Sequence, residues 1–163
     1  MYKALPLNLL LIACVLLTVS CATSTPTPAS SNSDADPEFT AAVSEAHETM
    51  DIVRRALLAP KPSYIFIGVR VRFTGRDASE DMWTEPVDYY NGIFTVEMVE
   101  GVTVQQGLHP EHLVRVPLED ILDWMILQED GKLLGGYTIR LAYERMTPEE
   151  KKEFLKVTGY VME

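Results

Sequence analysis

The stretch Tyr64-Ile65-Phe66-Ile67-Gly68-Val69-Arg70-Val71-Arg72-Phe73 decides the fold. From Ile65 onward every second residue is apolar, so Ile65, Ile67, Val69, Val71 and Phe73 share one face of a strand while Arg70 and Arg72 point the other way. A period of two, with charge on the alternate positions, belongs to a strand lying half against a core. The chain therefore builds a sheet with a buried face, and its neighbouring segments must supply the partner strands and the cover.

C-terminal to this strand, residues 79–85 read as a second strand that contains Met82-Trp83 and bends at Pro86. Tyr89-Tyr90-Asn91-Gly92-Ile93 carries the strongest hairpin signal in the chain, Asn-Gly between β-forming residues. Residues 93–99 alternate again, with Phe94, Val96 and Met98 on one face, and short strands are expected at 102–104 and 113–116. Residues 117–124 read as a turn or a single 3₁₀ turn bearing Ile121 and Trp124. Beyond it, 125–127 and 136–143 are expected to pair around Glu129-Asp130-Gly131-Lys132, with Tyr137, Ile139, Leu141 and Tyr143 on one face. On the N-terminal side, Asp36-Pro37-Glu38 has the order of a helix start: a capping Asp, Pro at the first helical position and an early acid. Phe39, Val43, Ala46, Met50, Val53 and Leu57 follow at spacings of three and four, the stripe of one amphipathic helix that Pro60 and Pro62 end. His47 falls off this stripe and is expected in solvent. Thr147-Pro148-Glu149-Glu150 is a capping box that opens a short helix to about Lys156. The expected fold is α+β: an N-terminal amphipathic helix, an antiparallel meander-like sheet of about five or six strands, and a short C-terminal helix.

The first residues carry a different kind of information. Lys3 precedes an apolar run from Leu5 to Val19, which ends in Ser20-Cys21. One early positive charge, a short apolar stretch and small residues at its end form the layout of a secretory signal. The run is about 15 residues, short of the roughly 20 that cross a bilayer. Thr18-Val19-Ser20-Cys21 resembles the lipobox of bacterial lipoproteins, with Thr18 standing where Leu is usual. That resemblance implies cleavage before Cys21, a lipid on its sulphur, and an anchor on the periplasmic side of a membrane. Ala22 after the cysteine points to the outer membrane by the usual sorting pattern. Residues 22–36 contain no large apolar side chain and cannot pack a core. As a tether they reach at most about 50 Å extended, or about 20 Å as a random coil. The expected organisation is a signal over 1–20, a lipidated Cys21 with its tether to residue 36, and one α+β domain over 37–163.

The 163 residues carry a net charge of −10, and removing a signal that holds Lys3 and no acid makes it −11. Such a balance argues against nucleic acid or anionic lipid as a principal partner, because neutralising phosphates takes a Lys/Arg surface. The other cysteine, Cys14, lies within the apolar run, so the folded part has no disulfide, thiol nucleophile or thiolate ligand.

Val69-Arg70-Val71-Arg72-Phe73, Met82-Trp83, the run from Val116 to Met125, and Gly131-Lys132-Leu133-Leu134-Gly135-Gly136-Tyr137-Thr138-Ile139-Arg140 together resemble the YegJ-like family of bacterial proteins, a domain of unknown function (DUF2314). The resemblance spans about residues 40–145 and excludes 99–113. It implies one coherent domain and brings no activity, cofactor or site residue with it.

Candidate sites were weighed on their chemistry. His109-Pro110-Glu111-His112 offers imidazoles and a carboxylate, as zinc prefers, but Pro110 and Gly107 suggest a loop and no third ligand stands nearby apart from Glu111; no metal or cofactor is assigned. Glu119, Asp120 and Asp123 beside Trp124 could supply a paired acid and base with a stacking platform for a sugar. Asp120 or Asp123 could equally cap a turn. Gly135-Gly136 suits a bulge or a close backbone approach; a phosphate cradle would need a following helix, and a strand is expected there. Trp83, Trp124, Tyr137 and Arg140 form the candidate binding surface. The expected function is a lipid-anchored, non-enzymatic interaction module that meets an envelope protein or peptidoglycan. The alternatives are an envelope glycan or peptide hydrolase using Asp120 and Asp123, and an inhibitor or immunity-like protein that meets a basic partner.

Overall fold

The computed structural model describes residues 36–74, 79–98 and 113–162. Cys21 and its flanks, the strand expected at 102–104, and His109 and His112 lie outside the described residues. The element order is α1 (Pro37–Glu48), α2 (Asp51–Leu58), β1 (Tyr64–Thr74), β2 (Ser79–Tyr90), β3 (Ile93–Met98), β4 (Leu113–Pro117), a 3₁₀ turn (Leu118–Asp120), β5 (Ile121–Gln128), β6 (Leu133–Gly135), α3 (Tyr137–Glu144) and α4 (Pro148–Thr158). The sheet has six strands in the order β4-β3-β2-β1-β5-β6, every neighbouring pair antiparallel. The first four strands form a meander, and the chain then returns to lay β5 along the free side of β1. The α+β class and the strand count match the sequence reading.

The core follows the alternation. Val69, Val71, Phe94, Val96, Val116, Ile121, Trp124 and Ile126 of the sheet meet Ala46, Val53 and Ala56 of α1 and α2, with Met50 between the helices. Trp124 is 1% exposed. Burying an indole of roughly 200 Å² is worth about 5 kcal/mol. The hairpin forms at Asn91-Gly92, both at positive φ (50° and 82°), as a tight turn that suits the twist of its strands. Arg72 pairs with Asp81 across β1 and β2, Nε to Oδ1 at 2.8 Å.

Five local readings change, each for a physical reason. Residues 121–124, expected within the turn, begin β5, because the 3₁₀ turn ends at Asp120 and Ile121 and Asp123 already pair with Val71 and Arg70 of β1. The N-terminal helix is two helices, because the Thr49 hydroxyl bonds back to the carbonyls of Glu45 and Ala46 and the chain turns there before α2. Ile65 does not join the buried face: the register of β1 on β5 shifts between Tyr64 and Phe66, and Ile65 is left 59% exposed while Tyr64 packs against the core. β2 continues through Pro86 to Tyr90, and a register shift against β3 between Pro86 and Asp88 accommodates the proline. Of residues 136–143, expected as a strand, all from Tyr137 onward lie in helix α3; the partner that β5 takes is instead the short β6, which pairs with Met125, Ile126 and Leu127.

The two ends of the helical layer are joined. Asp36 caps α1, its Oδ1 accepting from the backbone N–H groups of Glu38 and Phe39. Arg145, just past α3, donates Nη1 to Asp36 Oδ2 at 2.6 Å and also reaches Glu38. The Arg145 hydrogen bond, helped by the two backbone donors, holds the Asp36 carboxyl at about 2, below the ordinary 3.8. Because this is lower than the unfolded value, the contribution is present above the ordinary carboxylate range and disappears as the pH falls through about 2. Asp36→Asn keeps a capping oxygen and removes the titration. The gap in melting temperature between wild type and this variant should therefore narrow from about pH 5 to about pH 2; a gap constant across that range would contradict the clasp.

Candidate functional site

Three of the four residues of the candidate surface, Trp124, Tyr137 and Arg140, meet where β5 runs past the end of β6. Upstream of Met125 that strand has no β6 partner, and the helices take its polar groups instead. The Ile121 carbonyl accepts from His47 Nε2 at 2.6 Å, and the Trp124 carbonyl accepts from the Gly136 N–H at 2.7 Å. His47 is thus exposed at its rim, as expected, yet tied to the sheet by its ring nitrogen.

Asp123 has no exposed surface. Its Oδ1 accepts from the Trp124 N–H at 2.8 Å, and its Oδ2 accepts from both the N–H and the hydroxyl of Thr138, each at 2.7 Å. Burial pushes the carboxyl above the usual carboxylate range, and the donors from Thr138 and Trp124 pull against it without reversing it. The bonds also explain how α3 starts. Its N-cap, Gly136, sits in the left-handed region at φ 66° and offers no side chain, so the carboxylate of a distant strand caps the helix in its place. Gly135 must be glycine for a second reason: a Cβ there would overlap the carbonyl and indole of Trp124. A helix does follow Gly135-Gly136, contrary to the sequence expectation, but the N-terminus that could greet an external anion is filled by Asp123.

The rest of the candidate surface turns inward around the same junction. Trp124 Nε1 donates to the Ala46 carbonyl at 3.0 Å and to Thr49 Oγ1 at 3.2 Å. Tyr137 packs edge-on against the indole, centroids 6.2 Å apart, and its hydroxyl shares a hydrogen bond with Thr49 at 2.8 Å. Arg140 donates to two backbone carbonyls of β6, Leu133 at 2.6 Å and Gly135 at 3.1 Å, rather than to an acid or a pocket. Trp124, Tyr137 and Arg140 are therefore brought together as a packed junction, with Trp124 buried and Tyr137 and Arg140 half-buried. Trp83 stands apart on β2, half-buried and opposite Arg70, whose guanidinium lies 3.6 Å from Asp81 and 5.5 Å from the centre of the Phe39 ring.

The acid pair proposed for hydrolysis is not assembled. Asp120 is exposed on the 3₁₀ turn, whereas Asp123 is sealed and fully bonded. Among the described residues no group of three His, Cys, Asp or Glu side chains is placed to hold a metal ion, and no helix is long and apolar enough to cross a membrane. An open cleft lies elsewhere, at the β5–β6 turn, lined by Ile65, Leu127, Glu129 and Asp130 among others. Sequence reasoning missed Thr49 and Thr138, the partners that make the junction. Nothing local marks them: each acts across more than a dozen residues, on Trp124 and Asp123.

A six-stranded antiparallel sheet braced by helices, with Asp123, Trp124, Tyr137 and Arg140 holding the last strands and helices together, defines an α+β domain. The chain belongs to the bacterial family described as uncharacterized protein conserved in bacteria (DUF2314), whose family model matches residues 36–161. No curated protein and no solved structure matches it.

Asp123→Asn should cost about 1–3 kcal/mol in urea denaturation, because an amide turned toward Thr138 or Trp124 presents a donor to a donor. Asp120→Asn on the exposed turn should stay within about 0.5 kcal/mol. Equal losses for the two variants would refute the assignment of the cap to Asp123.

Proposed function

We propose that this protein is a lipid-anchored module of the bacterial cell envelope that binds a partner and carries out no chemistry of its own. The observation that carries the reading is the fate of Asp123: the one acid placed beside the aromatic platform is buried and bonded to three donors, so the hydrolase alternative loses half of its catalytic pair. Trp124, Tyr137 and Arg140 are spent in the same junction. What the domain offers outward is acidic surface, consistent with the net charge of −10.

The anchor rests on the amino-acid sequence. Thr18-Val19-Ser20-Cys21 at the end of a short apolar run is read as a lipoprotein processing site, with Cys21 as the acylated N-terminus. Two or three acyl chains hold a protein at a bilayer far more firmly than one, at about 0.8 kcal/mol per buried methylene. Residues 22–36 then serve as a spacer, and an acidic domain on a spacer is repelled from anionic headgroups and presented to the periplasm. The periplasmic face of the outer membrane is the proposed location, on the strength of Ala22. The partner is an envelope protein or peptidoglycan. Acidity favours a basic protein, the sense in which an inhibitor or immunity-like role is a second reading.

Cys21→Ser should abolish incorporation of labelled palmitate and leave the precursor uncleaved. Normal maturation and membrane fractionation of that variant would overturn the anchor.

A further inference from the structure

The cleft at the β5–β6 turn has a volume of about 320 Å³ and is bounded by the start of β1, the turn and the end of α4. That volume sits at the lower end of roughly 300–1,000 Å³ for ligand sites, enough for one or two side chains and too small for an extended glycan. Ile65 and Leu127 give it apolar wall, and Ile65 is 59% exposed because of the register shift that turned it off the core face. Val161, 43% exposed, lies against the same turn. Glu129 and Asp130, both exposed, stand at the rim, and no basic residue lines the cleft among the described residues.

The walls are fixed in place. The Glu129 N–H donates to the Ser63 carbonyl, Gln128 and Lys132 close the turn, and the Val161 N–H donates to the Gly131 carbonyl, each bond at 2.9 Å. Asp130 Oδ1 accepts from the Lys132 N–H at 3.1 Å. A site of this kind loses little freedom on binding.

We infer that this cleft is a docking site for a basic segment of a partner protein, seating the aliphatic stem of a lysine or arginine on Ile65 and Leu127 with its cationic head between Glu129 and Asp130. The physical match is specific to that class of side chain, which combines a long apolar stem with a terminal positive charge. A purely apolar side chain would leave the two carboxylates unserved, and an acidic one would be repelled by them and by the net charge of −10. The inference rests on the interaction-module reading above and names the chemistry of its partner.

The test uses the full chain, labelled with ¹⁵N, and an acetylated, amidated hexapeptide of alternating alanine and lysine, with glutamate and norleucine versions as controls. The lysine peptide should shift the amide signals of Leu127, Gly131 and Gly159, and neither control should do so. The double variant Glu129→Gln/Asp130→Asn keeps the turn acceptor for Lys132. It should keep its melting temperature and bind the lysine peptide roughly three- to tenfold more weakly, the scale of two exposed charge contacts. Shifts scattered over exposed acids such as Glu149 and Glu153, or equal affinity in wild type and double variant, would overturn the cleft while leaving the interaction module standing. Tight binding of the norleucine peptide would overturn the charge argument. The interaction module itself fails on separate grounds, if cross-linking of the anchored protein in cells captures no partner at any surface.

Discussion

One buried carboxylate holds the C-terminal part of this domain to its sheet. Asp123 takes both polar groups of Thr138 and the N–H that follows it in its own strand, and α3 begins where it does because of those bonds. Removing a carboxyl from water is costly, and Asp123 shows that cost in a proton affinity raised by burial. The arrangement survives because the donors are already aligned: a helix N-terminus presents N–H groups that have no partner inside the helix. The same geometry that elsewhere receives a phosphate is here closed by the protein itself.

The residues near that bond tie the helices to the sheet and to one another. Trp124, next in the strand, fastens α1 by donating to Ala46 and Thr49. Thr49 then bonds Tyr137, so one hydroxyl links a helix break, a core indole and the first residue of α3. Gly135 lets the chain pass over the indole at a distance that no side chain permits, and Gly136 does the same beside Leu133. Arg140 takes carbonyls of β6, supplying donors where no further strand is bonded. Arg145, at the other end of α3, closes onto Asp36 and Glu38. The conspicuous side chains of the last third of the domain are thus engaged with one another.

Much of this was legible in one dimension. The alternation of β1, the Asn91-Gly92 turn, the cap at Asp36 and the box at Thr147 and Glu150 all work through neighbours within a few residues, and all appear as read. Residues 136–143 were misread because Tyr137, Ile139, Leu141 and Tyr143 alternate like a strand while Tyr137 and Leu141 are also spaced like a helix. No local residue caps that helix, so its deciding signal lies in another strand. Ile65 was misassigned for a related reason: a single extra residue in the pairing reverses the faces of everything before it.

The amino-acid sequence by itself determined the class of fold, the sheet with its buried face and the net acidity of the chain, because each depends on composition or on spacing along the chain. Only the tertiary structure decided what Asp123, Trp124, Tyr137 and Arg140 are for. Their partners lie in distant elements, and whether a carboxylate or an indole faces solvent or another residue depends on how those elements pack.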